Sequence, residues 1–87
     1  MEKNRLNRLR QEIDRLDTKI AILIGKRFLI AGEIGEIKKS QNLDIEDKKR
    51  EQFVLSKVKK EMKGARQKKA ISNIYQEIIK ETKFLEK

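Results

Sequence analysis

Cysteine, histidine, proline and tryptophan are all absent from this 87-residue sequence, tyrosine occurs once and phenylalanine three times. Without cysteine there is no disulfide staple, no thiol nucleophile and no thiolate metal ligand. Without histidine the side chain that most often moves protons near neutral pH is missing, and so is the usual nitrogen ligand for zinc. So few aromatic rings leave no platform on which bases could stack. No proline forces a helix to break, and only four glycines punctuate the chain, so the elements should be few and long. Long apolar runs are lacking too. The most apolar stretch, residues 20–32, is interrupted by Lys26 and Arg27 and is too short to cross a bilayer. The N-terminus opens Met1-Glu2-Lys3-Asn4-Arg5 without the apolar core of a signal peptide, which points to the cytoplasm and away from a membrane.

What the chain has is charge. Charged residues make up 43% of it and apolar residues 37%, enough for a single domain over residues 1–87 with a thin core and no roomy internal pocket. Lys and Arg number 23 against 14 Asp and Glu, a formal charge of +9. The expected partner is therefore an anion: nucleic acid, an acidic membrane, or a small polycarboxylate or phosphate. Any chemistry falls to Arg, Lys, Asp, Glu and hydroxyl groups, with neither metal nor cofactor expected.

Leu6, Leu9, Ile13, Leu16, Ile20, Leu23, Ile30, Ile34 and Ile37 follow alternating steps of three and four residues, broken only at position 27. This seam predicts one helix over about residues 3–40. A second helix should begin at Asp44 as N-cap, with Asp47 at the capping-box distance, and run to Met62 or Lys63 before Gly64. A third is expected from Arg66 to Leu85 on Ala70, Ile71, Ile74, Tyr75, Ile78, Ile79 and Leu85. The fold class is all-α, with one long and two shorter helices. At about 1.5 Å per residue the first helix would reach about 55 Å, far beyond the radius of gyration of about 12 Å for a compact chain of this size. Between Ile20 and Ala31 apolar residues cover nearly every side of it. A second chain must cover them, which predicts an intertwined helical homodimer. Gly25, Gly32 and Gly35 lie inside this helix at a cost of about 1 kcal/mol each against alanine. They read equally as tolerated surface positions or as points of close helix or ligand approach.

Each of the three apolar faces turns polar at one stretch. Arg27 stands where the seam calls for an apolar residue; alone it would read as an internal ion pair or a snorkelling side chain. Asp47, Arg50, Glu51, Val54, Val58 and Met62 share one stripe of the second helix, and Thr82 and Glu86 continue the apolar stripe of the third. Converging with Lys38, these residues would form a small, water-poor, highly charged site for a compact anion bearing hydroxyls. Arg10 and Lys38 lie about 42 Å apart along one helix, so Arg10 can join such a site only from the other chain of an antiparallel dimer.

Read in order, the segments Leu9-Arg10-Gln11-Glu12-Ile13-Asp14-Arg15-Leu16-Asp17, Lys26-Arg27, Ile34-Gly35-Glu36-Ile37-Lys38 and Asp47-Lys48-Lys49-Arg50-Glu51 resemble the all-helical AroQ class of chorismate mutases over essentially the whole chain. A single Asp-x-x-Arg-Glu is a weak signal; four pieces at the family's spacing in a proline-free chain of the family's length are a strong one. The resemblance implies an isomerase of aromatic amino acid biosynthesis, in the shikimate pathway, that converts the dianion chorismate to prephenate by a Claisen rearrangement. It implies a homodimer with two sites, each borrowing Arg10 from the other subunit. It further implies that Arg10, Arg27 and Lys38 hold the two substrate carboxylates and that Lys38 reaches the ether oxygen. Asp47 and Glu51 would receive the ring hydroxyl, Asp47 through its backbone or side chain, while Arg50 and Thr82 would wall the ring. Glu86 stands where many members carry a glutamine that donates to the ether oxygen, and Thr82 where the family typically has serine. A carboxyl group donates only when protonated, so an ionised Glu86 would oppose the reaction. Lys38→Ala should lose rate far more than stability.

Three rivals stand beside this reading. The run Lys57, Lys59, Lys60, Lys63, Arg66, Lys68 and Lys69 suits a basic nucleic-acid-binding module, but no helix-turn-helix, zinc-finger or stacking signature accompanies it, and a solvated hairpin end explains it better. Isochorismate pyruvate lyases resemble the same class but generally lack the acidic pair matched by Asp47 and Glu51. A purely structural coiled coil leaves Arg27 unexplained.

Overall fold

The computed structural model describes all residues, Met1–Lys87, and contains three α-helices and no strand: α1 (Glu2–Ser40), α2 (Lys48–Lys60) and α3 (Ala65–Glu86). The chain divides into two units, Met1–Ile30 and Ala31–Lys87. No helix is long and apolar enough to cross a membrane.

The first unit is a stretch of α1 and nothing else. Its sequence favours a helix through its many Leu, Arg, Lys and Glu residues and the absence of proline. Glu2 in the first turn complements the positive end of the helix dipole. None of its residues is buried, and the seam residues Leu6, Leu9, Ile13, Leu16, Ile20, Leu23 and Ile30 are 46–62% exposed. Burying what remains of one such side chain would contribute about 1 kcal/mol, so the seam is stabilisation that this unit by itself does not use.

The second unit begins with the end of α1, where Ala31 and Gly35 are buried. Asn42, at φ 55, stops the helix: its N–H donates to Lys39 O at 3.3 Å and the Leu43 N–H donates to Lys38 O at 2.8 Å. This pair of bonds, with a left-handed residue between them, is a Schellman closure, and Asn tolerates that conformation better than most residues. The chain then stays non-helical until Asp47, whose extended backbone (φ −135, ψ 91) and side chain cap α2 by accepting from Arg50 N at 3.0 Å. The expected start at Asp44 is thus corrected. Asp47 is the N-cap itself, not the third residue of a capping box, because the Asn42 turn leaves residues 43–47 out of the helix.

Helix α2 ends at Lys60, short of the expected Met62 or Lys63. The N–H groups of Glu61 and Met62 donate to Val58 O and Lys59 O, tightening the last turn. Gly64, at φ 80, then turns the chain into α3. There the Gln67 side chain accepts from Lys63 N at 3.3 Å, so α3 starts at Ala65, one residue before the expected Arg66, and includes Glu86, one beyond the expected Leu85. Helices α2 and α3 pack on each other across this turn. Val54, Leu55, Val58, Met62, Ile71, Tyr75 and Ile78 are half-buried there and Ile79 is buried. Three residues expected in this core, Ala70, Ile74 and Leu85, lie exposed.

Candidate functional site

The buried residues of α3 are Ser72, Ile79 and Glu86, one every seven positions. That spacing keeps them on one stripe of the helix, and it carries a carboxylate into the interior at the last helical residue, where Glu86 is 7% exposed. On α1, Ala31, Gly35 and Lys38 share a face by steps of four and three. The two faces meet in an ion pair: Lys38 Nζ donates to Glu86 Oε1 at 2.6 Å. The same ammonium donates to Ile45 O at 2.9 Å. The Schellman closure at Asn42 explains that second bond, since it turns residues 43–46 back beside the last turn of α1. Two of the three protons of the ammonium are thereby committed, and the third is left for an acceptor.

A second cluster gathers acidic residues around α2 and a lysine of α3. Lys83 Nζ lies 3.3 Å from Glu51 Oε2 and 3.6 Å from Glu46 Oε1. Glu51 Oε2 is itself buried yet makes no hydrogen bond within the chain. Its contact with Lys83 is therefore one of charge, without hydrogen-bond alignment, and the oxygen retains its capacity to accept. Thr82, next to Lys83, donates its hydroxyl to Ile78 O at 2.7 Å.

The other expected residues are less enclosed. Asp47 and Arg50 are exposed, so the water-poor surroundings anticipated for them are not present within this chain. The reason is local. Asp47 spends one carboxylate oxygen and its backbone carbonyl on the first turn of α2, and the Arg50 guanidinium lies 5.2 Å from the centre of the Phe53 ring, one turn along the same helix. In the first unit Arg10 is exposed and Arg27 half-buried. The structure thus joins Lys38 to Glu86 directly and sets Glu51 beside Lys83, three residues before Glu86. Sequence reasoning missed two participants, Lys83 and the Ile45 carbonyl. Asn42 followed by apolar Leu43 is a legible helix stop that would have located the Ile45 segment; the Lys83–Glu51 contact joins residues remote in sequence and has no local signal. The lysines around the α2–α3 turn border a shallow depression that includes Lys59, Lys68 and Lys69 and none of the expected site residues.

Comparison with known proteins gives four findings. The family model for chorismate mutase type II matches residues 9–87. The chain is 40% identical over 86 residues to a bifunctional chorismate mutase/prephenate dehydratase of Aquifex aeolicus, covering 94% of this chain but only 24% of that protein, so it spans about a quarter of that relative. It is 32% identical over 84 residues to a chorismate mutase of Methanocaldococcus jannaschii, covering 95% of this chain and 85% of the relative. Among solved structures, a conserved hypothetical protein from Pyrococcus furiosus superposes with a TM-score of 0.77 at 39% identity, covering 94% of this chain and 95% of that one.

Proposed function

The chain belongs to the chorismate mutase type II family, a family of isomerases, and from that premise we propose that it converts chorismate to prephenate in the biosynthesis of phenylalanine and tyrosine. The reaction is unimolecular. The ether C–O bond breaks as a C–C bond forms within the same molecule, and no proton or electron pair is exchanged with the protein. A site for it has two tasks: to hold the dianion in its compact chair-like form, and to meet the negative charge that builds on the ether oxygen.

The observation that carries this reading is the Lys38 ammonium, fixed by Glu86 and the Ile45 carbonyl with one donor left over. A cation held at two points is preorganised for the third, so little reorganisation is needed when charge develops on the ether oxygen. Glu86 has two roles. As a carboxylate it orients Lys38; when protonated it can donate to the ether oxygen itself. Arg27 and the partner subunit's Arg10 would clamp the substrate carboxylates with their planar forks. Glu51, with its unsatisfied oxygen, is suited to accept the ring hydroxyl, and Asp47 keeps one carboxylate oxygen free of its cap for the same purpose. Arg50 and Thr82 would line the ring. The seam of exposed apolar residues from Leu6 to Ile30 supports the second subunit that this arrangement requires.

An absorbance assay that follows loss of chorismate, with the product identified, tests the reading. Prephenate is the expected product. Release of pyruvate from isochorismate, or no turnover of either compound by the folded dimer, would overturn it.

A further inference from the structure

Of the four glycines, three would meet open space if a Cβ were added, and Gly35 is the exception. A Cβ there would collide with the Glu86 carbonyl oxygen and would lie 2.7 Å from Glu86 Cα and 2.9 Å from its carbonyl carbon. All three atoms are backbone, so rotating a side chain cannot relieve the clash; the end of α3 itself would have to move. Gly35 is buried and has helical φ, which means that conformational freedom does not explain a glycine here. The missing side chain does. It costs α1 about 1 kcal/mol of helix propensity against alanine, and what it permits is backbone contact between α1 and the last residue of α3.

That contact lies three residues, slightly less than one turn, before Lys38 on the same face of α1. The depth at which α3 seats on Gly35 therefore fixes how far the Glu86 carboxylate reaches toward the Lys38 ammonium. At 2.6 Å the pair has little tolerance: a retreat of α3 by even about 1 Å would take it out of hydrogen-bond range. We propose that Gly35 is a positioning residue that acts through Glu86: the absence of its side chain sets the register of the Lys38–Glu86 pair, and through the pair the aim of the Lys38 ammonium. Gly35 touches no substrate. The link from the ammonium to catalysis rests on the function proposed above, whereas the link from Gly35 to the ion pair does not.

The test separates these two links. Denaturation midpoints of Lys38→Met, Glu86→Ala and the double variant give the coupling within the pair, measured once with Gly35 and once with Gly35→Ala. We expect the two substitutions to be non-additive with Gly35 and additive with Gly35→Ala. Coupling that survives in Gly35→Ala, or that is absent from the unmodified chain, would overturn the proposal. Should Gly35→Ala fail to fold, NMR cross-peaks between the α-protons of Gly35 and Glu86 in the unmodified chain decide the contact; their absence overturns it. In turnover assays Gly35→Ala should change kcat in the same direction as Glu86→Ala and by about the same factor, with KM little affected. Combining the two should change kcat by no more than about twofold beyond either alone, the scatter seen for pairs that do not add further loss. Full additivity in kcat would mean that Gly35 acts on the fold at large and not through Glu86. A chain without any chorismate turnover would defeat the functional reading while the stability cycle still decided the role of Gly35.

Discussion

The two units of this chain spend the same kind of sequence differently. Residues 31–87 bring parts of three helices together and bury Ala31, Gly35, Ser72, Ile79 and Glu86. Residues 1–30 have an apolar seam at least as regular, and bury nothing. The contrast shows that periodicity specifies a face without specifying what covers it. A single helix gains its stability mostly from packing and not from propensity, so the seam of the first unit is unfinished structure. The second unit holds an oriented cation and acidic groups, but Lys38 is already matched by Glu86 and Lys83 by Glu51 and Glu46. Under the proposed function Arg10 and Arg27, both within residues 1–30, would clamp the dianion, and Lys38, within residues 31–87, would meet the developing charge.

The largest expected effect breaks this division of labour at the first unit. Arg10→Ala and Arg27→Ala should each be nearly inactive, because each removes one fork from the carboxylate clamp. Mixed in equal amounts under conditions of subunit exchange, the two should regain activity. Each heterodimer carries both lesions in one site and neither in the other, which restores about a quarter of all sites after random exchange. Steady-state rates before and after exchange, with exchange itself verified by mass spectrometry, check this. Continued inactivity would place Arg10 outside the partner's site, and sedimentation showing a folded monomer at micromolar concentration would remove the dimer altogether.

The next effect sharpens the role of the second unit. Lys38→Ala should lower turnover by about 100- to 1,000-fold, the usual cost of removing one preorganised donor at a centre of developing charge. Sequence alone leads to the expectation that rate falls far more than stability, and the structure adds the amount that stability should lose. Removing Lys38 leaves the Glu86 carboxylate, 7% exposed, without its partner, which should cost on the order of 2 kcal/mol. Adding Glu86→Gln replaces the stranded charge with a neutral amide. The double variant should therefore recover much of the denaturation midpoint and none of the rate. Rate recovering together with stability would show that Lys38 supports the fold and takes no part in the reaction.

Sequence reasoning reached the helices and much of the charged cluster because both are encoded locally. A three-to-four step pattern survives any tertiary context, and Lys38 and Glu86 each sit on a face whose other members are apolar or small. What escaped it was encoded by termination and by contact. Asp44 as N-cap with Asp47 at the capping-box distance is a sound local reading, and only the Asn42 turn moves the cap of α2 to Asp47. The exposure of Arg50 follows from its stacking on Phe53, a pairing that competes with burial. Gly35 could be read as a surface position or a close approach with equal justice until the Glu86 backbone appeared beside it. Lys83 could not be assigned at all, since nothing near it in sequence marks Glu51 as its neighbour.

The smallest expected effect concerns Glu86, where the two possible services of one carboxyl group can be told apart. Its position is interior, not a frayed end, since it is buried and its Oε1 accepts from Lys38. A carboxylate can hold the ammonium but cannot donate to the ether oxygen; the protonated acid can donate but holds the ammonium less strongly. If donation limits the rate, turnover of the unmodified chain rises as pH falls. Glu86→Gln supplies both functions permanently, because the amide oxygen can accept from Lys38 while the amide nitrogen donates. It should keep activity within about tenfold at neutral pH and flatten the acid-side rise, a smaller change than the loss of the Lys38 donor. The measurement is the dependence of kcat on pH for the unmodified chain, Glu86→Gln and Glu86→Ala. A flat profile in the first two with a loss of rate in Glu86→Ala would assign Glu86 to orienting Lys38 alone. Full activity and an unchanged profile in Glu86→Ala would remove Glu86 from the mechanism and leave Lys38 to be aimed by the Ile45 carbonyl without it.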